Sequence, residues 1–554
     1  MKWRIPVIIF IFGIFYSLLI LNIYNLQFNK RGYYLRVAAS QNSAGGVFNA
    51  SRGNIYFTDK NGNPIQVALN KDYPIIYAVP SEIQKSAGEP RVYAEKLSPI
   101  LNIPAGDIEK QLSKKNDQYE LLIAKASSEQ TEAVKKLNIK GIYIKDKTLR
   151  FYPFGTLGAH ILGFASSANQ NETVKPGDGD IGRYGLELYF DDKLAGVSGE
   201  LSGDKFYEPE KGEDLFLTID RNIQAQAEES LKNLVEGYNA EKGSVIVAEP
   251  KTGKILAMAS FPNFDPNNYS EFSIAKFLNP AVQAVYEPGS IFKIITMSAG
   301  IDSGKIMPNT AYNDTGYFTA NKRTISNWDI KTHGSYGKAT MTNVIEHSIN
   351  TGAVFAERQT GNDIFYDYLV KFGLNELTGI KLPGEVRGNL NNLKKGKEID
   401  FATASYGQGV SVTPIELVSA VSAIANGGVL MKPYILNDDK PEVLRRVISE
   451  ETSKKVIDMM VSAVVVNKVA SIPDYNIAGK TGTAFIPIFG GKGYSEDVIN
   501  TYVGFAPAYD PKFIILLKLD RPAGAPVAAL TVVPSFRELT RYILNYYNIA
   551  PDKL

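Results

Sequence analysis

The chain has no cysteine in its 554 residues, so disulfides and thiolate metal ligands are excluded from its account. Histidine is almost as scarce. Only His160, His333 and His347 occur, with no H-E-x-x-H and no spaced histidine pair, which removes the common zinc-hydrolase arrangements. No sign of charge dominates: 60 basic side chains stand against 58 acidic ones, a net charge of +2, and that balance gives no argument for nucleic acid. Low-complexity stretches and clean internal repeats are missing too. The composition that remains is globular, 44% hydrophobic, and the length suits roughly two to four domains. Near the N-terminus, Ile5 to Ile23 is nearly all apolar, carries no charge and is about the length needed to span a bilayer. A cleaved signal peptide is the rival reading, but no small-x-small cleavage site follows, which favours an uncleaved anchor. Lys2 and Arg4 before the run and Lys30 and Arg31 after it leave its orientation undecided by the positive-inside rule.

Three short motifs follow one another along the chain: Ser290-Ile291-Phe292-Lys293, Ser348-Ile349-Asn350 and Lys480-Thr481-Gly482-Thr483. They spell the S-x-x-K, S-x-N, K-T-G set of serine acyl-transferases that react with penicillin. No single one carries the inference, since a serine and lysine three apart should recur by chance about twice in such a length. Ser202-Gly203-Asp204-Lys205, Ser273-Ile274-Ala275-Lys276 and Ser335-Tyr336-Gly337-Lys338 fit the first pattern, and Ser40-Gln41-Asn42 and Ser167-Ala168-Asn169 the second. Each reads as a polar loop or solvated helix face. Lys251-Thr252-Gly253 repeats the third, but it lies between the apolar runs Ser244 to Glu249 and Lys254 to Ser260, where hairpin-turn chemistry explains it.

Local context separates the 290, 348 and 480 set from these. Pro288-Gly289 breaks the chain before Ser290, and Ile291 to Gly300 is almost wholly apolar, predicting a buried helix that starts at the serine. Unpaired backbone N–H groups at that helix N-terminus would stabilise an oxyanion. The spacing of three brings Lys293 onto the face of Ser290, one turn deeper. Apolar neighbours Phe292 and Ile294 would disfavour the ammonium form, as a lysine base requires. A capped core helix with a snorkelling lysine is the structural alternative. Asn476 to Phe485 reads as a strand rich in small residues, where glycines mark close approach of a ligand to backbone. Thr501 to Ala506 and Phe513 to Leu519 read as further strands, and Pro534 to Tyr547 as a closing helix, giving an α+β region with an antiparallel sheet packed by helices. A Ser-His-Asp enzyme is nearly excluded by the histidine inventory. There is no G-x-S-x-G elbow around Ser290, and His347 is as well placed on a helix surface as for a base.

Longer stretches agree with these motifs: Tyr286-Glu287-Pro288-Gly289 before the serine, Val247 to Asn267, Leu217 to Glu228 and Tyr406 to Pro414, with Arg52 to Gly62 and Gly182 to Gly199 in the N-terminal half. On these the chain resembles the monofunctional class B penicillin-binding proteins, the peptidoglycan D,D-transpeptidases of bacteria, over nearly its whole length. The resemblance implies an α+β, membrane-anchored protein with an elongated noncatalytic pedestal, a dimerisation-type domain, over 32–205. A transpeptidase domain of serine β-lactamase-like fold would span 214–547, after a cytoplasmic 1–4 and a transmembrane 5–23.

Roles implied by the resemblance fall on matching residues. Ser290 would be the nucleophile and Lys293 its general base, while Ser348 and Lys480 would pass the proton to the leaving D-alanine amine. Asn350 would bond the stem-peptide amide and help fix Lys293. Thr481 and Thr483 would bind the terminal carboxylate around Gly482, with the N–H groups of Ser290 and Thr483 as oxyanion hole. The implied reaction cross-links stem peptides through an acyl-enzyme, with β-lactams as stalled mimics and no cofactor or metal. The pedestal lacks the histidine-bearing acidic motif of a glycosyltransferase domain, so glycan polymerisation would come from a separate membrane protein of the SEDS type. A short cytoplasmic N-terminus with the rest outside is implied. Tyr286 to Gly289 and the length lean toward the division-specific branch. A noncatalytic β-lactam-binding sensor, and a D,D-carboxypeptidase or β-lactamase, are the alternatives. Two departures stand out: Phe57-Thr58-Asp59-Lys60-Asn61-Gly62 has lysine where the family often has arginine, which puts the local turn in question, and Ile349 occupies a position that is commonly small or polar.

Overall fold

The computed structural model describes residues 3–30, 47–48, 50–85, 89–167, 180–202, 205–488, 490–491, 493–524 and 527–553. The expected loop from Ala168 to Gly182 lies outside the described residues up to 179, as do Ser40-Gln41-Asn42, Ala168-Asn169 and Gly203-Asp204 of the decoy stretches.

Helix α1 (Arg4–Tyr24) takes up the apolar run. With the turn that continues it to Phe28 it contains an 18-residue stretch of mean hydropathy 2.4, none of which is buried, and it is long and apolar enough to cross a membrane.

The N-terminal half is built around one long strand. Strands β1 (Ile55–Thr58) and β2 (Pro64–Ala78) pair antiparallel, and β2 also receives β3 (Glu120–Ile123) and β4 (Ile142–Phe151). Helices α2 (Pro90–Leu101), α3 (Ala105–Leu112) and α4 (Ser128–Leu137) cover this sheet with Leu97, Ile108, Leu112 and Val134 against Ile76. A reciprocal cap between Ser127 and Gln130 starts α4, a device that stabilises by about 1 kcal/mol.

The two N-terminal signature stretches meet in a buried charged cluster. Glu187, fully buried, accepts from Arg52 Nε and Arg150 Nε, each at 2.6 Å, and from the Tyr152 hydroxyl at 3.2 Å. Arg52 also pairs with Asp191 at 2.7 Å. Burial alone would raise the Glu187 carboxyl, but the two guanidiniums hold it below the usual carboxylate range. The turn questioned from its lysine is closed by Asp59, which accepts from Asn61 N, Asn63 N and Asn63 Nδ2 at 2.8 to 2.9 Å, with Gly62 left-handed at φ +83°.

Strand β5 (Leu215–Asp220) returns parallel to β1, Leu215 opposite Ile55, and passes the chain to the C-terminal half. Asp220 caps α5 (Arg221–Gly237) through Asn222 N and Ile223 N. Strands β6 (Lys242–Ala248) and β7 (Ile255–Phe261) form an antiparallel hairpin whose turn contains Lys251-Thr252-Gly253, as expected. Helices α6 (Phe292–Asp302), α7 (Met341–Glu346), α8 (Asn350–Thr360), α9 (Pro414–Ala425) and α10 (Glu450–Asn467) intervene. Then β8 (Ala478–Pro487), β9 (Tyr494–Ala506) and β10 (Phe513–Asp520) complete a five-stranded antiparallel sheet in the order β7-β6-β10-β9-β8. Helix α11 (Val532–Tyr546) closes the chain close to where Pro534 to Tyr547 predicts it.

Alternation along the central strands explains their continuous apolar runs. Val245, Val247, Ile515 and Leu517 pack on α5 and α11, while Ile246, Ala248, Ile514 and Leu516 join the core on the α6 and α9 side. Covered on both faces, the sheet leaves β8 as an edge strand.

Candidate active site

The first-motif serine sits on a turn fixed by backbone contacts. Gly289 is left-handed at φ +58° and donates its N–H to Gly407 O at 3.0 Å. A Cβ on Gly407 would lie 2.2 Å from Gly289 O, and one on Gly482 would lie 2.7 Å from Pro288 O. Both positions therefore need glycine for close approach of two backbones. Tyr286 and Val412 exchange backbone hydrogen bonds of 3.0 Å each. Ser290 lies on a 3₁₀ turn, Gly289–Ile291, and α6 proper begins only at Phe292. The expected helix thus starts two residues after the serine, because the left-handed Gly289 feeds a tighter turn before the α-helical ladder can form.

Lys293 is fully buried one turn below. Its amine reaches three acceptors of the second motif: the Ser348 carbonyl, Ser348 Oγ at 3.1 Å and Asn350 Oδ1 at 2.8 Å. Lys480, 3% exposed, donates to the same Ser348 Oγ at 3.0 Å and to Thr481 O and Oγ1. One hydroxyl therefore bridges two amines. Burial pushes Lys480 down to about 7, and burial followed by the nearby Lys480 charge holds Lys293 well below the ordinary lysine range, Asp329 opposing. Among the described residues neither amine has a carboxylate within ion-pair distance. Each therefore gives up its proton more readily than a solvated lysine.

Ser348 holds this position at φ +56°, a left-handed conformation costing a non-glycine residue roughly 1–2 kcal/mol. It turns the chain between α7 and α8, where Ile349 N bonds Val344 O at 3.0 Å. Asn350 donates Nδ2 to Ser326 O at 2.9 Å, and buried Ile349 fills core, 0% exposed, rather than narrowing the cleft.

On β8, Thr483 Oγ1 accepts from Ala528 N at 3.2 Å, and Thr481 Oγ1 from Lys480, so both hydroxyl protons stay available to an anion. Gly482 is buried against the serine turn. Ser290, Ser348, Asn350, Lys480, Thr481 and Thr483 line one cleft of about 1560 Å³. Lys293 lies beneath it. Ser290 Oγ makes no hydrogen bond to another described residue, Lys293 included. The first two motifs are joined through the lysine.

Histidine takes no part in these hydrogen bonds, although His347 lines the same cleft. His347 caps the end of α7 and stacks on Tyr336, which also stacks on His333, while His160 is buried with its pKa lowered to about 4. Ser273 to Lys276 lies on a largely exposed 3₁₀ turn, and Ser335 to Lys338 runs into the strand Gly337–Thr340, with Tyr336 alone of the four reaching the cleft. Sequence reasoning missed other cleft residues: Trp328, 64% exposed, with Arg323, Tyr406 and Tyr494. Tyr406 lay inside a signature stretch, but nothing marked it as a lining residue.

Comparison with known proteins agrees with this geometry. The family model described as the penicillin-binding protein transpeptidase domain matches residues 243–536, and that of the penicillin-binding protein dimerisation domain matches 47–203. The chain is 32% identical to stage V sporulation protein D of Bacillus subtilis, covering 91% of this chain and 80% of that protein. It is 29% identical to the peptidoglycan D,D-transpeptidase FtsI of Escherichia coli, covering 91% and 85%. Among solved structures, a peptidoglycan synthetase from Bifidobacterium adolescentis superposes with a TM-score of 0.69 at 25% identity, covering 92% and 97%. Penicillin binding protein 2X from Streptococcus thermophilus shares the fold, with a TM-score of 0.71 at 23% identity over 91% and 81%.

Proposed function

This chain belongs to the penicillin-binding-protein transpeptidases, and from that membership we propose that it is a peptidoglycan D,D-transpeptidase working through an acyl-enzyme on Ser290. The observation that carries the reading is the Ser348 hydroxyl held between two buried amines, at 3.1 Å from Lys293 and 3.0 Å from Lys480. Ser290 Oγ attacks the penultimate D-Ala carbonyl while its proton passes to the neutral Lys293 amine. The oxyanion is met by the N–H groups of Ser290 and Thr483, and the terminal carboxylate by the hydroxyls of Thr481 and Thr483 beside Gly482. Collapse breaks the amide bond, and the D-alanine amine leaves with a proton delivered through Ser348 and Lys480. Asn350 steadies Lys293. An amine from a neighbouring stem peptide then attacks the ester, loses a proton to the same relay, forms the cross-link and frees Ser290.

A hydrolytic alternative, carboxypeptidase or β-lactamase, needs an assigned base for water, and no residue of the cleft is proposed for that part. The apolar α1 supports a single-pass anchor, with residues 1–4 cytoplasmic, 32–205 as pedestal and 214–547 as transpeptidase region outside the cell membrane. Similarity to FtsI and to a sporulation protein supports a role in septal wall synthesis beside a separate SEDS-type glycan polymerase.

Intact-protein mass spectrometry after exposure to benzylpenicillin tests the reading. One stable adduct is expected, absent from Ser290→Ala of unchanged fold. Labelling retained in that variant would move the nucleophile elsewhere; a folded, unlabelled wild type that leaves penicillin intact would make the chain a scaffold.

A further inference from the structure

Glu287 lies three residues before Ser290 and takes no part in the steps above. Two donors converge on its carboxyl group. Tyr494, the first residue of β9, directs its hydroxyl at both oxygens, at 3.1 and 3.4 Å, and Gly409 contributes its backbone N–H. Tyr406 is the other titratable group facing it. Gly409 is itself tied through its carbonyl, which accepts from Asn392 Nδ2 at 2.8 Å.

Tyr494 pairs with Pro487 at the outer end of the hairpin whose other strand carries Lys480, Thr481 and Thr483. Further along β8, the serine turn and the strand touch by packing: Gly482 lies against Pro288 O and the Ile291 side chain, and Gly289 against Thr483 O and the Ala484 methyl, with Thr483 O only 3.0 Å from where a Gly289 Cβ would stand. Such contacts resist compression but do not prevent sliding. A side-chain tie at the end of the hairpin supplies that restraint.

We propose that the Glu287–Tyr494 hydrogen bond is a positioning strap, holding β8 at the distance from Ser290 at which Thr481 and Thr483 meet the bound acyl donor. Glu287 is then a positioning residue of the transfer reaction, and the inference rests on Ser290 being the acylated serine. The strap also responds to protons. Burial pushes the Glu287 carboxyl up to about 7, so the closed strap keeps a proton that a solvated glutamate gives up. Ionisation inside the closed strap is costly, so the strap weakens as pH rises from the solvated glutamate range to about 7 and no further above it.

The test is the second-order acylation rate with a fluorescent penicillin, measured from about pH 6 to 8.5. It is read beside hydrogen–deuterium exchange over 478–506. Tyr494→Phe removes one hydroxyl and keeps the ring; the expected result is acylation slower by about fivefold at pH 6, the worth of one hydrogen bond, with faster exchange in β8 and unchanged melting. Glu287→Gln keeps an acceptor and cannot ionise. Its rate relative to wild type is expected to rise from pH 6 to about 7 and to level off above it, a trend that a merely structural role would not produce. Wild-type acylation and exchange in Tyr494→Phe, or a pH-independent ratio in Glu287→Gln, would overturn the strap. Absence of labelling in the wild type is the separate failure of the acyl-enzyme reading, and unchanged β8 exchange in Tyr494→Phe would even then overturn the strap.

Discussion

Two buried charged centres, one in each half of the chain, are built on opposite plans. In the N-terminal half Glu187 is enclosed by Arg52, Arg150 and the Tyr152 hydroxyl, and each charge meets its opposite at hydrogen-bond distance. In the C-terminal half Lys293 and Lys480 are buried just as deeply, yet share neutral acceptors and face one another. Pairing recovers the desolvation cost of the first centre in attraction. Leaving the second unpaired directs the same cost into lowered basicity. A charge that only holds a fold is neutralised by a partner; an amine that must take a proton at neutral pH is denied one.

The sharpest way to break this contrast is to remove the unpaired amine. Lys293→Ala should slow acylation on the order of 1,000-fold, the range for loss of a positioned base, and leave melting little changed, since no buried counter-charge is orphaned. Acylation by the wild type should fall as pH drops below about 7. Lys480 then takes up its proton and adds a like charge beside Lys293, whose own protonation follows at lower pH. Near-normal kinetics in Lys293→Ala would remove the base from the account, and a rate flat from pH 5 to 8 would remove Lys480 from the proton relay.

The paired centre should fail in the opposite manner. Glu187→Ala leaves two buried guanidiniums facing each other, and breaking such a centre from one side costs about 3–5 kcal/mol. Chemical denaturation should register that loss, while acylation by whatever remains folded should be unchanged. The sign with pH is also opposite. The Glu187 carboxyl is held below its ordinary value, so its contribution is present at neutral pH and lost as pH falls through the folded value. A variant as stable as wild type would mean the arginines find other acceptors.

Much of the active region was legible in the sequence because its signal is local. Spacing of three put Ser290 and Lys293 on one face, and Gly and Pro punctuation marked the serine turn and the hairpin at Lys251 to Gly253. What could not be read depends on residues far apart in the chain. Gly407 is glycine because Gly289, more than a hundred positions earlier, leaves no room for a Cβ. Glu287 and Tyr494 meet only once β8 and β9 are paired. Ser348 bridging two lysines needs a left-handed backbone that no helical or strand period announces. The offset start of α6 has a local cause instead, the left-handed Gly289, whose backbone sign the residue type alone does not announce. Exposed cleft residues such as Trp328 carry no periodicity at all.

The smallest predicted effect concerns the seam between the halves. Lys60 donates its backbone N–H to the Tyr546 hydroxyl at 3.1 Å, reaches Tyr546 O with Nζ at 3.3 Å, and places that amine 5.3 Å from the ring centre. Asn222 Nδ2 donates to the same hydroxyl at 3.0 Å. Lys60→Met keeps the backbone donor and loses only an exposed cation over a ring, worth about 0.5 kcal/mol. Tyr546→Phe keeps the ring and removes the oxygen on which two donors converge, so about 1–2 kcal/mol is expected from denaturant melts. The order of the two variants is the test. If Lys60→Met were the costlier, the charged side chain would be holding the halves together, and the seam would follow the paired plan of Glu187. If Tyr546→Phe is costlier, the halves are joined here by the hydrogen bonds that meet on the Tyr546 hydroxyl, and the exposed Lys60 cation adds little to them.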